Sequence, residues 1–240
     1  MAADSKTAVT TPALTASRLA LSMSWRLVLF LTCVLVVIGL SAGRWDFWFV
    51  WAYTALYLAG MIAGTVVVYK TDPTLFKERL RPGPGGKDPN LRRLAMPLMV
   101  AQMVVAGLDI GRRHWSGDVP LAVHLLGLAI FAGGMAIPSW AMSANRFFSS
   151  DARIQRERGH HLVTGGPYQY IRHPGYLGAM LMGIGSSLAL GSYISMIPML
   201  LVVALILRRL LIEERLLRAE LEGYADYAAR VRFRLVPGVW

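Results

Sequence analysis

The chain has 240 residues and a formal net charge of +11, yet only 16% of its residues are charged and 55% are hydrophobic. Its mean hydropathy of +0.47 is too high for an ordinary soluble domain, and the charged share lies below the usual quarter. The basic residues flank apolar runs and do not form one polar face, which argues against nucleic-acid binding and for an integral membrane protein.

In chain order, residues 1–24 form a polar, small-residue-rich leader expected to lack fixed structure. A signal peptide does not fit, because the polar lead is long and no small-x-small site closes the apolar stretch after it. Membrane spans are predicted at residues 25–42 and 47–69. Cys33, the single cysteine, sits in the first and reads as a small buried hydrophobe. Trp45, Trp48 and Trp51 open the second; they suit either the headgroup level or helix packing. In the polar segment 70–93, Arg81 and Asp88 break the phosphate-loop spacing around Gly86 and Lys87. Pro82, Gly83, Pro84 and Gly85 read there as a turn.

Further spans are predicted at residues 94–110 and 120–142. A polar stretch, 145–172, then leads into two apolar runs, 176–190 and 193–207, which read as a helical hairpin broken at Gly191 and Ser192. From Ile212 to about Arg230 the chain is polar and helical again. Lys and Arg concentrate in segments 70–93 and 145–172 and in the C-terminal tail, and are sparse near Arg44 and at 112–118. An even number of crossings then places both rich segments and both termini in the cytoplasm. The expectation is an all-α integral membrane protein of the inner or plasma membrane with about six membrane segments, because a helix satisfies its own backbone in lipid. Its parts are the leader 1–24, a four-span bundle 25–144 and a C-terminal region 145–240 that holds the polar stretch and the hairpin.

The conspicuous polar side chains lie in two places, 155–176 and 208–227, which the hairpin brings together at the cytoplasmic boundary. Gly165, Gly166 and Pro167 allow a tight turn before Tyr168. Pro174 keeps His173 out of the helix and starts the next one, leaving Arg172 and His173 at a helix mouth that favours an anion. On composition alone, Arg172 reads equally as a snorkelling arginine and Tyr176 as an interfacial aromatic. Arg209 and Glu213 stand four apart on one helix face. They read either as a weak surface ion pair or as ligand groups, Arg209 for a carboxylate and Glu213 for a hydroxyl or ammonium. His160 and His161 are adjacent, point different ways and have no companion Cys or spaced carboxylate, so no metal is expected.

The stretch GHHLVTGGPYQYIRHPGYLG, followed about forty residues later by EERLLRAELEGYADYAARV, resembles the isoprenylcysteine carboxyl methyltransferase family, to which the phospholipid N-methyltransferases are related. The shared pattern is His-x-Leu-Val, Gly-x-Tyr, Arg-His-Pro-x-Tyr, a membrane hairpin, paired glutamates and Tyr-x-x-Tyr, covering about residues 155–236. The resemblance implies a helical membrane bundle whose C-terminal part encloses S-adenosyl-L-methionine on the cytoplasmic side. It implies cofactor contacts at Gln155, His160, His161, Leu162, Val163, Tyr168, His173, Pro174, Gly175, Tyr176, Glu213 and Glu214. It puts Arg209 and Arg172 at the reacting end, Arg209 toward the carboxylate of a lipophilic acceptor arriving from the bilayer lipid. Isoprenylcysteine-type carboxyl O-methylation is the first expectation, and N-methylation of a lipid amine the alternative. A different class is a sterol-type reductase using NADPH, whose variant motif has Asn before the tyrosine where this chain has Gly175. The basic composition and absence of extra spans look prokaryotic.

Overall fold

The computed structural model describes residues 14–72, 75, 78, 86 and 88–240, with side chains described from residue 27 onward except at 89, 90 and 92. The described residues are helical throughout their regular structure, without strands. The helices are α1 (Leu14–Ala42), α2 (Trp48–Thr71), α3 (Pro89–Leu108), α4 (Leu121–Ala144), α5 (Pro174–Ala189), α6 (Met196–Glu220) and the short α7 (Tyr224–Arg230). A π-helical turn, Asp109–Arg113, continues α3, and two 3-10 turns, Arg156–Arg158 and Gly166–Gln169, lie between α4 and α5.

Three helical segments are long and apolar enough to cross a membrane: Trp48–Thr71, Arg93–Arg113 and Leu121–Ala144. The apolar part of α1, Leu27–Ala42, is shorter. With 16 residues, α5 reaches about 24 Å, less than a hydrocarbon core of about 30 Å. Large apolar side chains, among them Val28, Leu40, Ile62, Leu126 and Leu200, face outward, as lipid-covered surfaces require.

Some sequence expectations need correction. Helix α1 starts at Leu14, so residues 14–24 of the expected unstructured leader are helical; residues 1–13 lie outside the description, as does the turn at Pro82–Gly85. Cys33 is exposed on the outer face of α1. The apolar run ending at residue 207 and the polar helix expected from Ile212 are one continuous helix, α6. Arginine and leucine favour helix, so the change of composition at Arg208 and Arg209 changes what the helix touches without breaking it. The break comes at Leu221–Gly223, where Gly223 adopts φ +76°.

One end of the bundle gathers the C-termini of α1, α3 and α5 with the N-termini of α2, α4 and α6. Arg112 caps α1 there by donating to Ser41 O at 2.7 Å and Leu40 O at 3.1 Å. Asp109 ties the α3 turn to the hairpin loop, accepting from Ser116 N at 2.9 Å, Ser116 Oγ at 2.5 Å and Ser192 Oγ at 2.6 Å. The opposite end carries the polar segments.

The α4–α5 contact positions that polar end. A Cβ on Gly134 would lie 2.6 Å from Met182 N, and one on Gly178 would lie 2.4 Å from the Pro138 ring and 2.6 Å from Gly134 O. Glycine alone permits this approach. Pro138 cannot donate to the Gly134 carbonyl, so that carbonyl is turned toward Gly178. The main core includes Val34, Ile38, Tyr53, Met103, Phe131 and Leu190, from α1 to the end of α5.

Candidate active site

The segment between α4 and α5 is built by its special residues. Gly166 at φ +61° starts the 3-10 turn, and a Cβ there would meet the Ala144 methyl at 2.8 Å. The turn drives Tyr168 inward to 8% exposure. His173 is non-helical at ψ 60°, and Pro174 opens α5. Gly175 lies against the Phe148 ring, which a Cβ would strike at 2.5 Å.

The C-terminal tail then locks the motif in place. Arg172 N donates to Phe233 O and His173 N to Arg234 O. The Arg172 guanidinium donates to Val231 O at 2.6 Å and Arg232 O at 2.8 Å. At 5% exposure it is no snorkelling side chain.

Glu214 is the hub of this wall. It is 3% exposed and meets Arg172 at 2.8 Å, His173 Nε2 at 2.8 Å, Arg218 at 3.1 Å and the Tyr224 hydroxyl at 3.2 Å. Burial by itself would raise its pKa, but hydrogen bonds from His173 and Arg172, with their charges, hold it well below the usual carboxylate range.

Arg209 and Glu213 are not directly paired. The Arg209 Nε donates to the Tyr176 hydroxyl at 3.0 Å, and that hydroxyl donates to Glu213 Oε2 at 2.5 Å. Arg209 also donates to Ser150 O at 2.5 Å and is only 3% exposed. Among the described residues, no carboxylate lies within ion-pair distance of it. This is neither a surface ion pair nor an interfacial tyrosine.

These groups surround a cavity of about 370 Å³, within the range of small-molecule sites. His160, His161, Leu162, Val163, Tyr168, Arg172, His173, Pro174, Gly175, Tyr176, Arg209 and Glu213 line it. Of the sequence-predicted residues, Gln155 and Glu214 stand behind the wall. Gln155 is fully buried, donates to Phe147 O at 2.6 Å and gives its backbone N–H to His160 Nδ1 at 3.2 Å. Burial, reinforced by His161, Arg153 and Arg158, pushes His160 down to about 4, so it is neutral at pH 7 and able to accept that bond.

Sequence reasoning passed over the loop after α4. Asn145, Phe147, Phe148, Ser149, Ser150, Asp151 and Arg153 all line the cavity, as do Tyr224 and Tyr227. Phe147 stacks on His160 with centroids 4.6 Å apart. Arg153 is buried between Glu78 and Glu157, each at 2.7 Å. Two adjacent phenylalanines inside a polar loop were the available signal.

The geometry agrees with comparisons to known proteins. The family model described as phospholipid methyltransferase matches residues 122–222, from α4 to the end of α6. All the sequence-predicted site residues fall within that segment. The chain is 32% identical over 123 residues to protein-S-isoprenylcysteine O-methyltransferase B of Arabidopsis thaliana, covering 50% of this chain and 59% of that protein. It is 33% identical over 112 residues to a probable protein-S-isoprenylcysteine O-methyltransferase of Oryza sativa subsp. japonica, covering 45% and 59%. It is 38% identical over 63 residues to the protein-S-isoprenylcysteine O-methyltransferase of Schizosaccharomyces pombe, covering 26% and 27%. The chain thus spans less than two thirds of these relatives. It is similar to protein-S-isoprenylcysteine O-methyltransferases and, over residues 122–222, to the phospholipid methyltransferase family model. The reductase alternative finds no support in these matches, and relatives from plants and a yeast lend none to a prokaryotic origin.

Proposed function

We propose that this chain is an S-adenosylmethionine-dependent methyltransferase acting on a lipophilic carboxylate, of the isoprenylcysteine type, where the membrane meets the cytoplasm. The observation that carries the reading is Arg209, buried in the cavity wall and held by a phenol and a carbonyl with no carboxylate of a described residue within ion-pair distance. A buried guanidinium so placed favours an anionic acceptor.

The residues present fit the cofactor. The Oε1 oxygen of Glu213 accepts no bond from a described residue and suits ribose hydroxyls or the ammonium. The wall at Leu162 and Val163, with the Phe147–His160 stack, suits a planar base. When bound, S-adenosylmethionine supplies an electrophilic methyl on a cationic sulfur. A carboxylate acceptor needs no base, so the chain has to strip it of water and align it. Arg209 holds the acceptor, and Tyr176 and Ser150 O hold Arg209. Leu91, Pro138, Ala179 and Met182 form the apolar side of the cavity, and Ala179 is also exposed on the outer surface. Both features suit an acceptor that arrives from the bilayer.

The six-segment arrangement belongs to the same proposal. In it α1, α5 and the apolar part of α6 complete the spans, residues 25–144 serve as scaffold, residues 145–240 carry the chemistry, and both termini are cytoplasmic. The matched phospholipid methyltransferase model supports a second reading, N-methylation of a lipid amine.

Calorimetry of the detergent-purified protein tests the class. S-adenosylhomocysteine should bind and NADPH should not; the reverse would sink the proposal. Labelled methyl transfer in proteoliposomes then separates the acceptors. A prenylcysteine should be methylated by the wild type and hardly at all by Arg209→Ala, whereas labelling of an aminophospholipid instead would favour the second reading.

A further inference from the structure

Asn145, just past the end of α4, has a fixed amide. Its Oδ1 accepts the Phe147 N–H at 2.8 Å, and its Nδ2 donates to the Tyr168 hydroxyl at 3.1 Å. The first bond identifies the oxygen, so the group facing Tyr168 is the amide NH₂, which only donates. The phenol oxygen is therefore an acceptor in this pair, and its own proton must point elsewhere. Tyr227 holds the other end of the residue by donating to Tyr168 O at 2.7 Å. The Tyr168 side chain is nearly all buried and lines the cavity, yet it donates to no described residue. A buried donor without an acceptor is unfavourable, so the hydroxyl is set for a ligand lone pair. Glu213 faces the same cavity with an oxygen that accepts no bond from a described residue. Its charge adds to burial in raising the Tyr168 pKa, which places the two groups in each other's field.

We propose that Asn145 is a positioning residue that aims the Tyr168 O–H as a donor into the cavity that Glu213 also lines as an acceptor. The pair suits a ligand group with both a lone pair and a hydrogen, such as a ribose hydroxyl. This rests on the S-adenosylmethionine reading above.

The test is S-adenosylhomocysteine binding to the full-length, detergent-purified chain by calorimetry, with thermal unfolding recorded alongside. Asn145→Asp keeps the acceptor for Phe147 N–H but captures the phenol proton. It should weaken binding about five- to tenfold, as should Tyr168→Phe, each removing one hydrogen bond. Asn145→Ala leaves the hydroxyl free to rotate and should cost only about two- to threefold. Asn145→Asp added to Tyr168→Phe should cost nothing more. An amide that merely supports the turn predicts the opposite order, with alanine worse than aspartate. That order, additive losses, wild-type affinity in Asn145→Asp or its failure to fold would each overturn the proposal. Absence of binding by the wild type would instead overturn the cofactor reading on which it stands.

Discussion

At the residue scale, the paired glutamates divide the labour. Glu213 faces the cavity, while Glu214 turns the other way and gathers three arginines, a histidine and a tyrosine. Adjacent helical residues diverge by about 100°, so a sequence pair of identical type can serve two environments. Glu214→Gln keeps the shape but leaves Arg172 without its counter-charge, and should lower stability by about 3–5 kcal/mol at neutral pH. The pH dependence has a definite sign. The folded-state pKa of Glu214 is depressed, so its stabilisation is complete above its ordinary value of 4.5 and is lost as pH falls through the folded value. Melting curves from pH 7 down to about pH 3 should show the wild type losing ground in acid and Glu214→Gln starting lower but changing less. Equal acid sensitivity in the two proteins would contradict this role. The motif resemblance implied a cofactor contact at Gln155, but the structure places it behind His160 and outside the cavity lining, a position that depends on the φ +64° turn at Gly159.

At the element scale, α4 and α5 determine where the site sits. Gly133 and Gly134 are neighbours with opposite surroundings: a Cβ on Gly133 meets nothing within 4 Å, and one on Gly134 meets the α5 backbone at 2.6 Å. Gly133→Ala should be neutral or stabilising by up to about 1 kcal/mol. Gly134→Ala should cost about 1–3 kcal/mol by forcing the helices apart. Thermal unfolding in one detergent checks both, and equal melting temperatures would argue against the close approach. The sequence announced α4 and α5 by hydropathy, but the faces they share follow from the pairing of Gly134 with Gly178. The long α6 shows the reverse: the change from apolar to charged residues near Arg208 reads as a boundary, yet no helix breaker stands between Leu207 and Ile212 and the helix continues.

At the scale of the whole molecule, the bundle has two unlike ends. Asp109, Ser116, Ser192 and the Arg112 cap close one; the cavity and most of the described arginines occupy the other. The proposed topology follows from that asymmetry. In a Cys33→Ala background, cysteines placed at Arg113 and Arg230 should react with an impermeant thiol reagent from opposite sides of the membrane. The Arg230 position should be reached only from the cytoplasm. Labelling of both from the same side would overturn the arrangement.

By itself the sequence determined the helical class, the apolar segments, the hairpin and the family likeness, because these rest on composition, periodicity and an ordered run of motifs along the chain. It also marked the residues that surround the cavity between 160 and 176. Only the tertiary structure decided which of them face it, that Tyr176 stands between Arg209 and Glu213, and that Asn145 and Phe147 complete the wall. Those facts depend on the helix rotations set by the glycine contacts and on the C-terminal tail lying against Arg172. They are relations between segments far apart in the chain, and local pattern does not carry them.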